Sequence, residues 1–164
     1  MRKIKVKARL ENELQLKLQI KYLILDKTGT LTQNKMTVVD EFTNDKKLLA
    51  KAMALCSDST IDEGSNIAKG EPTENALVEY ANKLGMPKYE LVKLAPRIGE
   101  APFDSNRKLM STVHKEDGKI IQYTKGACEI LLNRCTKYLE DGKILDITDE
   151  YKQKVKIKNK EYAD

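Results

Sequence analysis

An α/β (α+β) chain, with antiparallel strands flanked by helices, is the fold class that the sequence predicts, on three observations. Apolar residues recur at every second position from Ile4 to Leu10 and from Leu14 to Ile24, Pro72 to Gly85 carries helix start and stop signals, and two β-prone runs surround Asp117-Gly118. A length of 164 residues suits one domain with a real core and is too short for two large ones.

The elements follow in order. Ile4, Val6, Ala8 and Leu10, then Leu14, Leu16, Leu18, Ile20, Tyr22 and Ile24, hold even positions with polar residues in most odd ones, which reads as two strands around Glu11-Asn12-Glu13. Tyr22 to Leu25 is apolar on both faces, as in a strand buried inside a sheet, and delivers Asp26 at its carboxyl end. KKLLAKAMALCS (46–57) has helical apolar spacing, and the Ser, Asp, Gly and Asn content of 58–69 reads as a loop. Pro72 fits a first helical turn, Glu71 and Glu74 complement its dipole, and Ala76, Leu77, Tyr80, Ala81 and Leu84 form one face before Gly85 closes the helix. Positions 107–115 and 119–125 make a hairpin, because Asp117-Gly118 accepts the two positive φ angles of a tight turn. Gly126 is expected to open a short helix to Arg134, and a charged helix to start at Thr148 around Tyr151 and Val155.

Composition narrows the function classes. The chain is 40% hydrophobic and 34% charged, with seven Tyr, two Phe and no Trp, so its core is mainly aliphatic. The net charge of +5 lies wholly in residues 1–22, where seven basic residues face two acids. A charge confined to a leader is a solvated segment rather than a specific nucleic-acid surface. Three cysteines (Cys56, Cys128, Cys135) at no metal-like spacing suit a reducing compartment. No apolar run approaches the roughly 20 residues that cross a bilayer, so the chain as it stands is expected to be soluble, without direct membrane insertion. Sequence patterns for a phosphate loop, a dinucleotide fold and a zinc protease are all missing. His114, the single histidine, reads as a surface strand residue, and Cys128 and Cys135 as packing residues.

DKTGTLT (26–32) carries the chemistry. A carboxylate is a competent nucleophile towards phosphorus and forms an acyl phosphate when the incoming charge is neutralised, here by Lys27 and a magnesium ion. Gly29 permits a sharp bend, and threonine hydroxyls can hold phosphate oxygens. The plain alternative is a Thr/Gly turn after a strand.

DKTGTLTQNKMTV resembles the phosphorylation signature of the P-type cation-transporting ATPases. The resemblance implies that Asp26 takes the γ-phosphate of ATP, and that Thr28 offers its main-chain oxygen to Mg2+ and its side chain to the phosphate. Asp26 and Thr28 would then be magnesium ligands in a set left incomplete in this stretch. Phosphatases of the wider haloacid-dehalogenase-like superfamily carry a second acid where Thr28 stands. A threonine is no general base near pH 7, so the intermediate should persist, as a pump requires. KGEPTENAL (69–77), PFDSNRKLMS (102–111) and YTKGACEILLNRC (123–135) resemble, in order, the three blocks of that family's nucleotide-binding domain, and the FDSNRK and TKGA blocks are most similar to bacterial calcium pumps of type II.

That resemblance implies a basic leader over 1–20 with no counterpart, the start of a phosphorylation domain over 21–36, and a nucleotide-binding domain over 37–164, truncated at its C-terminal end. Phe103 would stack on adenine, or serve as a sheet core residue. Glu74 would accept from the adenine amino group, or act only as a helix-start acid. Lys125 beside Gly126 would meet a closely approaching nucleotide, and Arg107 and Lys108 would face the phosphates; otherwise these are solvated charges. ATP and Mg2+ are the implied ligands. The partners are the rest of a pump: membrane helices, actuator domain and the remaining phosphorylation domain with its T-G-D and G-D-G-x-N-D type motifs. The whole would be a cytoplasmic part of an integral membrane protein that binds ATP without turnover by itself. Competing readings are a nucleotide-binding or interaction module without catalysis, and a polyanion binder acting through the leader. The even-numbered apolar face of 1–20 is expected to pack as an antiparallel extension.

Overall fold

The computed structural model describes residues 22–24, 36–38 and 40–163, with side chains for 36–38 and 40–162. The leader over 1–20 and the DKTGTLT segment lie outside the described residues. β1 (Tyr22–Ile24) is paired antiparallel with β2 (Asp40–Phe42), in register Leu23 to Glu41.

Helix α1 (Lys46–Leu55) starts where Asp45 caps it, its carboxylate accepting from Leu48 N at 2.9 Å. The stretch 58–69, expected as a loop, contains a short antiparallel pair, β3 (Thr60–Ile61) and β4 (Ala68–Lys69). Its buried positions are Ile61 and Ala68, which join Val78 of the next helix in a small apolar cluster. That helix, α2 (Pro72–Lys83), keeps the expected signals: Pro72 in the first turn, Glu71 as N-cap, and Gly85 at φ +73° beyond its end. A further helix, α3 (Lys88–Leu94), follows Pro87.

The main sheet is three antiparallel strands, β5 (Arg97–Asp104), β6 (Leu109–Glu116) and β7 (Lys119–Gly126), with β6 in the centre. Asp117 and Gly118 both have positive φ and join Glu116 to Lys119 as a two-residue turn. The first arm of the expected hairpin begins at Leu109; residues 105–108, Arg107 and Lys108 among them, form the preceding turn. That turn is held by Asp104, whose carboxylate accepts from Asn106 N at 2.8 Å and Arg107 N at 2.9 Å.

β5 escaped the sequence pattern because Pro96, Gly99 and Pro102 lie in and beside it. An edge strand tolerates such residues, and the pairing with β6 shifts register between Arg97 and Gly99 and between Ala101 and Asp104. Gly126, expected to open a helix, instead ends β7; Ala127 caps α4 (Cys128–Arg134). A second hairpin, β8 (Lys137–Glu140) and β9 (Lys143–Asp146), turns on Asp141-Gly142 by the same positive-φ chemistry. The charged helix is α5 (Asp149–Ala163).

Helices α1, α2 and α3 cover one face of the sheet. Ala50, Ala54, Leu55 and Cys56, with Ala81, Leu91 and Ala95, pack on Met110 and Tyr123. Because opposed residues of an antiparallel pair share a face, the pairs Met110 with Lys125 and Thr112 with Tyr123 put Lys125 on this helix-covered side. His114 also belongs here and corrects the surface reading. It is 0% exposed, with Nδ1 2.8 Å from Ala95 O and Nε2 3.0 Å from Thr112 Oγ1. Cys128 and Cys135 pack as expected, around Leu132 and Val155 between α4 and α5. Among the described residues no helix is long and apolar enough to cross a membrane.

Candidate functional site

Glu74 owes its position to the start of α2. The Glu71 carboxylate caps the helix by accepting from Glu74 N at 3.1 Å, which orients the residue's first turn towards the segment 57–59. There Glu74 Oε2 accepts from Asp58 N at 2.6 Å and Ser59 N at 3.1 Å, while Oε1 accepts from the Lys125 ammonium. Burial pushes the Glu74 carboxyl up, but Lys125 and the two amides outweigh it and hold the group below the usual carboxylate range. The side chains of Glu74 and Lys125 are only 14% and 29% exposed.

Gly126 follows Lys125 at φ +156°, and a Cβ there would lie 2.2 Å from the Lys108 carbonyl oxygen. Only a residue without a side chain lets β7 approach the end of the 105–108 turn so closely. The same carbonyl accepts from Ala127 N at 3.1 Å, so the turn, the strand end and α4 meet at one point. Lys108 sits there at φ +53° with an exposed side chain.

Phe103 is on edge strand β5, one residue before Asp104, which pairs with Leu109; Leu109 in turn pairs with Gly126. This register brings Phe103, Lys108, Lys125 and Gly126 to the same end of the sheet. The ring is 63% exposed, so the alternative of a core residue is overturned. A bare aromatic face at the same sheet end as a cation and an open backbone can take a flat, electron-rich ring and an anionic group attached to it. The Arg107 guanidinium donates to Pro102 O at 2.9 Å and Leu109 O at 3.4 Å, across the turn of its own hairpin.

Two further cations surround the 57–59 segment, and sequence reasoning missed both. Arg97 donates to Asp58 Oδ1 and Glu100 Oε2, each at 2.8 Å, and to the carbonyls of Leu55 and Ser57. Lys88 is 7% exposed, and its ammonium donates to Ser57 O at 2.7 Å, Ser57 Oγ at 2.9 Å and Ser59 O at 2.6 Å. Burial, with Arg97 nearby, brings this lysine down to about 8. No local pattern announces either residue, because their partners in the 55–59 segment lie 29 to 42 positions earlier in the chain.

Asp26, Lys27 and Thr28 lie outside the described residues. Among the described residues no group of three or more His, Cys, Asp or Glu side chains is gathered to hold a metal ion.

An antiparallel sheet backed by helices thus presents an exposed aromatic ring, a paired lysine and a glycine at one end. The chain belongs to the P-type ATPases: residues 45–164 match the family described as P-type ATPase, cytoplasmic domain N. It is 43% identical over 151 residues to calcium-transporting ATPase 1 of Lactococcus lactis subsp. lactis (strain IL1403), covering 84% of this chain and 17% of that protein. Calcium-transporting ATPase 1 of Bacillus cereus (strain ATCC 10987 / NRS 248) is 42% identical over 144 residues, covering 79% and 16%. Calcium-transporting ATPase lmo0841 of Listeria monocytogenes serovar 1/2a (strain ATCC BAA-679 / EGD-e) is 39% identical over 155 residues, covering 84% and 17%. The chain therefore spans about a sixth of the length of these relatives.

Proposed function

We propose that this chain is the ATP-binding part of a cation pump, with calcium as the transported ion suggested by the names of its relatives. Adenine stacks on Phe103, its amino group donates to Glu74, and the phosphates extend past Gly126 under the charges of Lys125 and Lys108. In the whole pump the Asp26 carboxylate attacks the γ-phosphorus, Lys27 and Mg2+ neutralise the incoming oxygens, and Thr28 contributes to both the metal and the phosphate. The chain by itself binds ATP weakly and does not turn it over. Phosphoryl transfer and ion movement belong to the whole assembly on the cytoplasmic side of a membrane.

The observation that carries this reading is the exposed Phe103 ring at the sheet end that also presents the Lys125–Glu74 pair and Gly126. An apolar ring left in water costs free energy that a stacked base recovers, and the paired charges beside it are held in place before any ligand arrives. ATP titrated calorimetrically into the chain should bind, and Phe103→Ala and Lys125→Ala should each weaken binding. Unchanged affinity in both variants removes the pocket.

A further inference from the structure

Lys88 is a buried cation that touches only neutral oxygens. Among the described residues no carboxylate lies within ion-pair distance of it, and all three of its N–H bonds are spent on Ser57 and Ser59. A charge is costly to bury without a counter-ion, so a lysine placed this way needs a reason beyond filling space.

The reason lies in one peptide unit. The Ser57 carbonyl that accepts from Lys88 belongs to the same planar group as the Asp58 N–H that donates to Glu74 Oε2 at 2.6 Å. In a trans peptide the C=O and N–H point in opposite directions. An ammonium fixed on the carbonyl side therefore aims the amide at the carboxylate on the other side. Its bond to Ser59 O holds the next residue as well, whose N–H donates to the same Oε2. Arg97 shares the Ser57 carbonyl, but its charge is answered by Asp58 and Glu100. Charge on the carbonyl side also polarises the peptide and strengthens the amide as a donor.

We infer that Lys88 is a positioning residue for base recognition: through the Ser57–Asp58 peptide it fixes the Glu74 carboxylate at the angle that accepts an exocyclic amino group. This rests on the nucleotide reading of the site. Oε2 is filled by the two amides, and Oε1, which holds Lys125, keeps a lone pair for the ligand.

The test uses the full chain labelled with 15N, as wild type, Lys88→Met, Lys88→Arg, Glu74→Gln and Phe103→Ala. Amide shifts of Asp58 and Ser59 are read, and ATP and ITP are titrated separately, since inosine lacks the amino donor. In Lys88→Met both amides should move upfield as they do in Glu74→Gln, and the preference for ATP over ITP should fall roughly tenfold, the scale of one charge-assisted hydrogen bond. Lys88→Arg should restore some of that preference, and Phe103→Ala should weaken both nucleotides alike with the two amides unmoved. Amides unshifted in Lys88→Met, or shifted with the ATP preference intact, overturn the inference while leaving the binding site standing. If Lys88→Met does not fold, the Lys88→Arg chain decides: amide shifts and ATP preference that are kept, reduced or lost together support the role of the cation, and a change in one without the other overturns it. A wild-type chain that takes up neither nucleotide ends the proposed function, and this inference with it.

Discussion

Gly126 and Lys108 are in backbone contact across the end of the sheet: the space where a Cβ would project from Gly126 is filled by the Lys108 carbonyl oxygen, 2.2 Å away, and by Leu109. Lys108 cannot retreat, because Leu109 is paired with both Asp104 and Gly126 and its own carbonyl holds Ala127 N. Gly126→Ala must therefore push β6 and β7 apart at the candidate site. The cost should be about 2–3 kcal/mol in urea unfolding, the range of an overpacked position, with ATP affinity falling in parallel.

The Lys125–Glu74 pair predicts an asymmetry between its members. Lys125→Met leaves a carboxylate only 14% exposed without its cation and should cost about 2–3 kcal/mol. The double variant Lys125→Met with Glu74→Gln should recover some of that loss, giving a favourable coupling of roughly 1 kcal/mol in a double-mutant cycle. The Glu74 carboxyl is held below its ordinary 4.5, so its stabilisation is whole above that pH and lost as pH falls through the folded value. Glu74→Gln should accordingly flatten the acid limb of the stability curve below about pH 4.5.

His114 predicts a separate window at higher pH. Burial keeps its imidazole neutral below the ordinary 6.5, opposed by its bond to the Ala95 carbonyl. The unfolded chain then binds a proton that the folded chain refuses, so stability is full above 6.5 and declines as pH drops from there to the folded value. His114→Gln should lose the slope that sets in as pH falls below 6.5 in thermal unfolding while leaving the carboxylate limb in place.

Much of this was legible in the sequence wherever structure is made locally. The α2 helix and the Asp117-Gly118 hairpin rest on caps and turn residues that act within a few positions, and both appear as expected. Asp141-Gly142 makes the same turn but went unread, because the four-residue strands beside it are too short and too charged to show alternation. β5 was hidden for the opposite reason: Pro and Gly, which mark breaks inside a sheet, are tolerated at its edge. At the site, Glu74, Phe103, Lys125 and Gly126 were singled out as separate blocks, yet the ion pair that joins two of them spans 51 residues. The burial of His114 depends on Ala95, 19 positions away, and Lys88 and Arg97 converge on the distant Ser57 carbonyl, which carries no residue-type signal.

Phe103 offers the sharpest separation of binding from folding. Its ring is 63% exposed, so truncating it removes little buried area, and Phe103→Ala should change stability by no more than about 0.5 kcal/mol. If a base stacks there, the same change should cost about 1–3 kcal/mol of binding, which is roughly 5- to 150-fold in the ATP dissociation constant. Thermal unfolding of the two chains should then superimpose without nucleotide and diverge with it, since a ligand raises stability only in proportion to its occupancy of the folded state. Curves that stay superimposed at millimolar ATP would mean that the exposed ring is not the base platform, and curves already apart without ATP would show that the ring supports the fold.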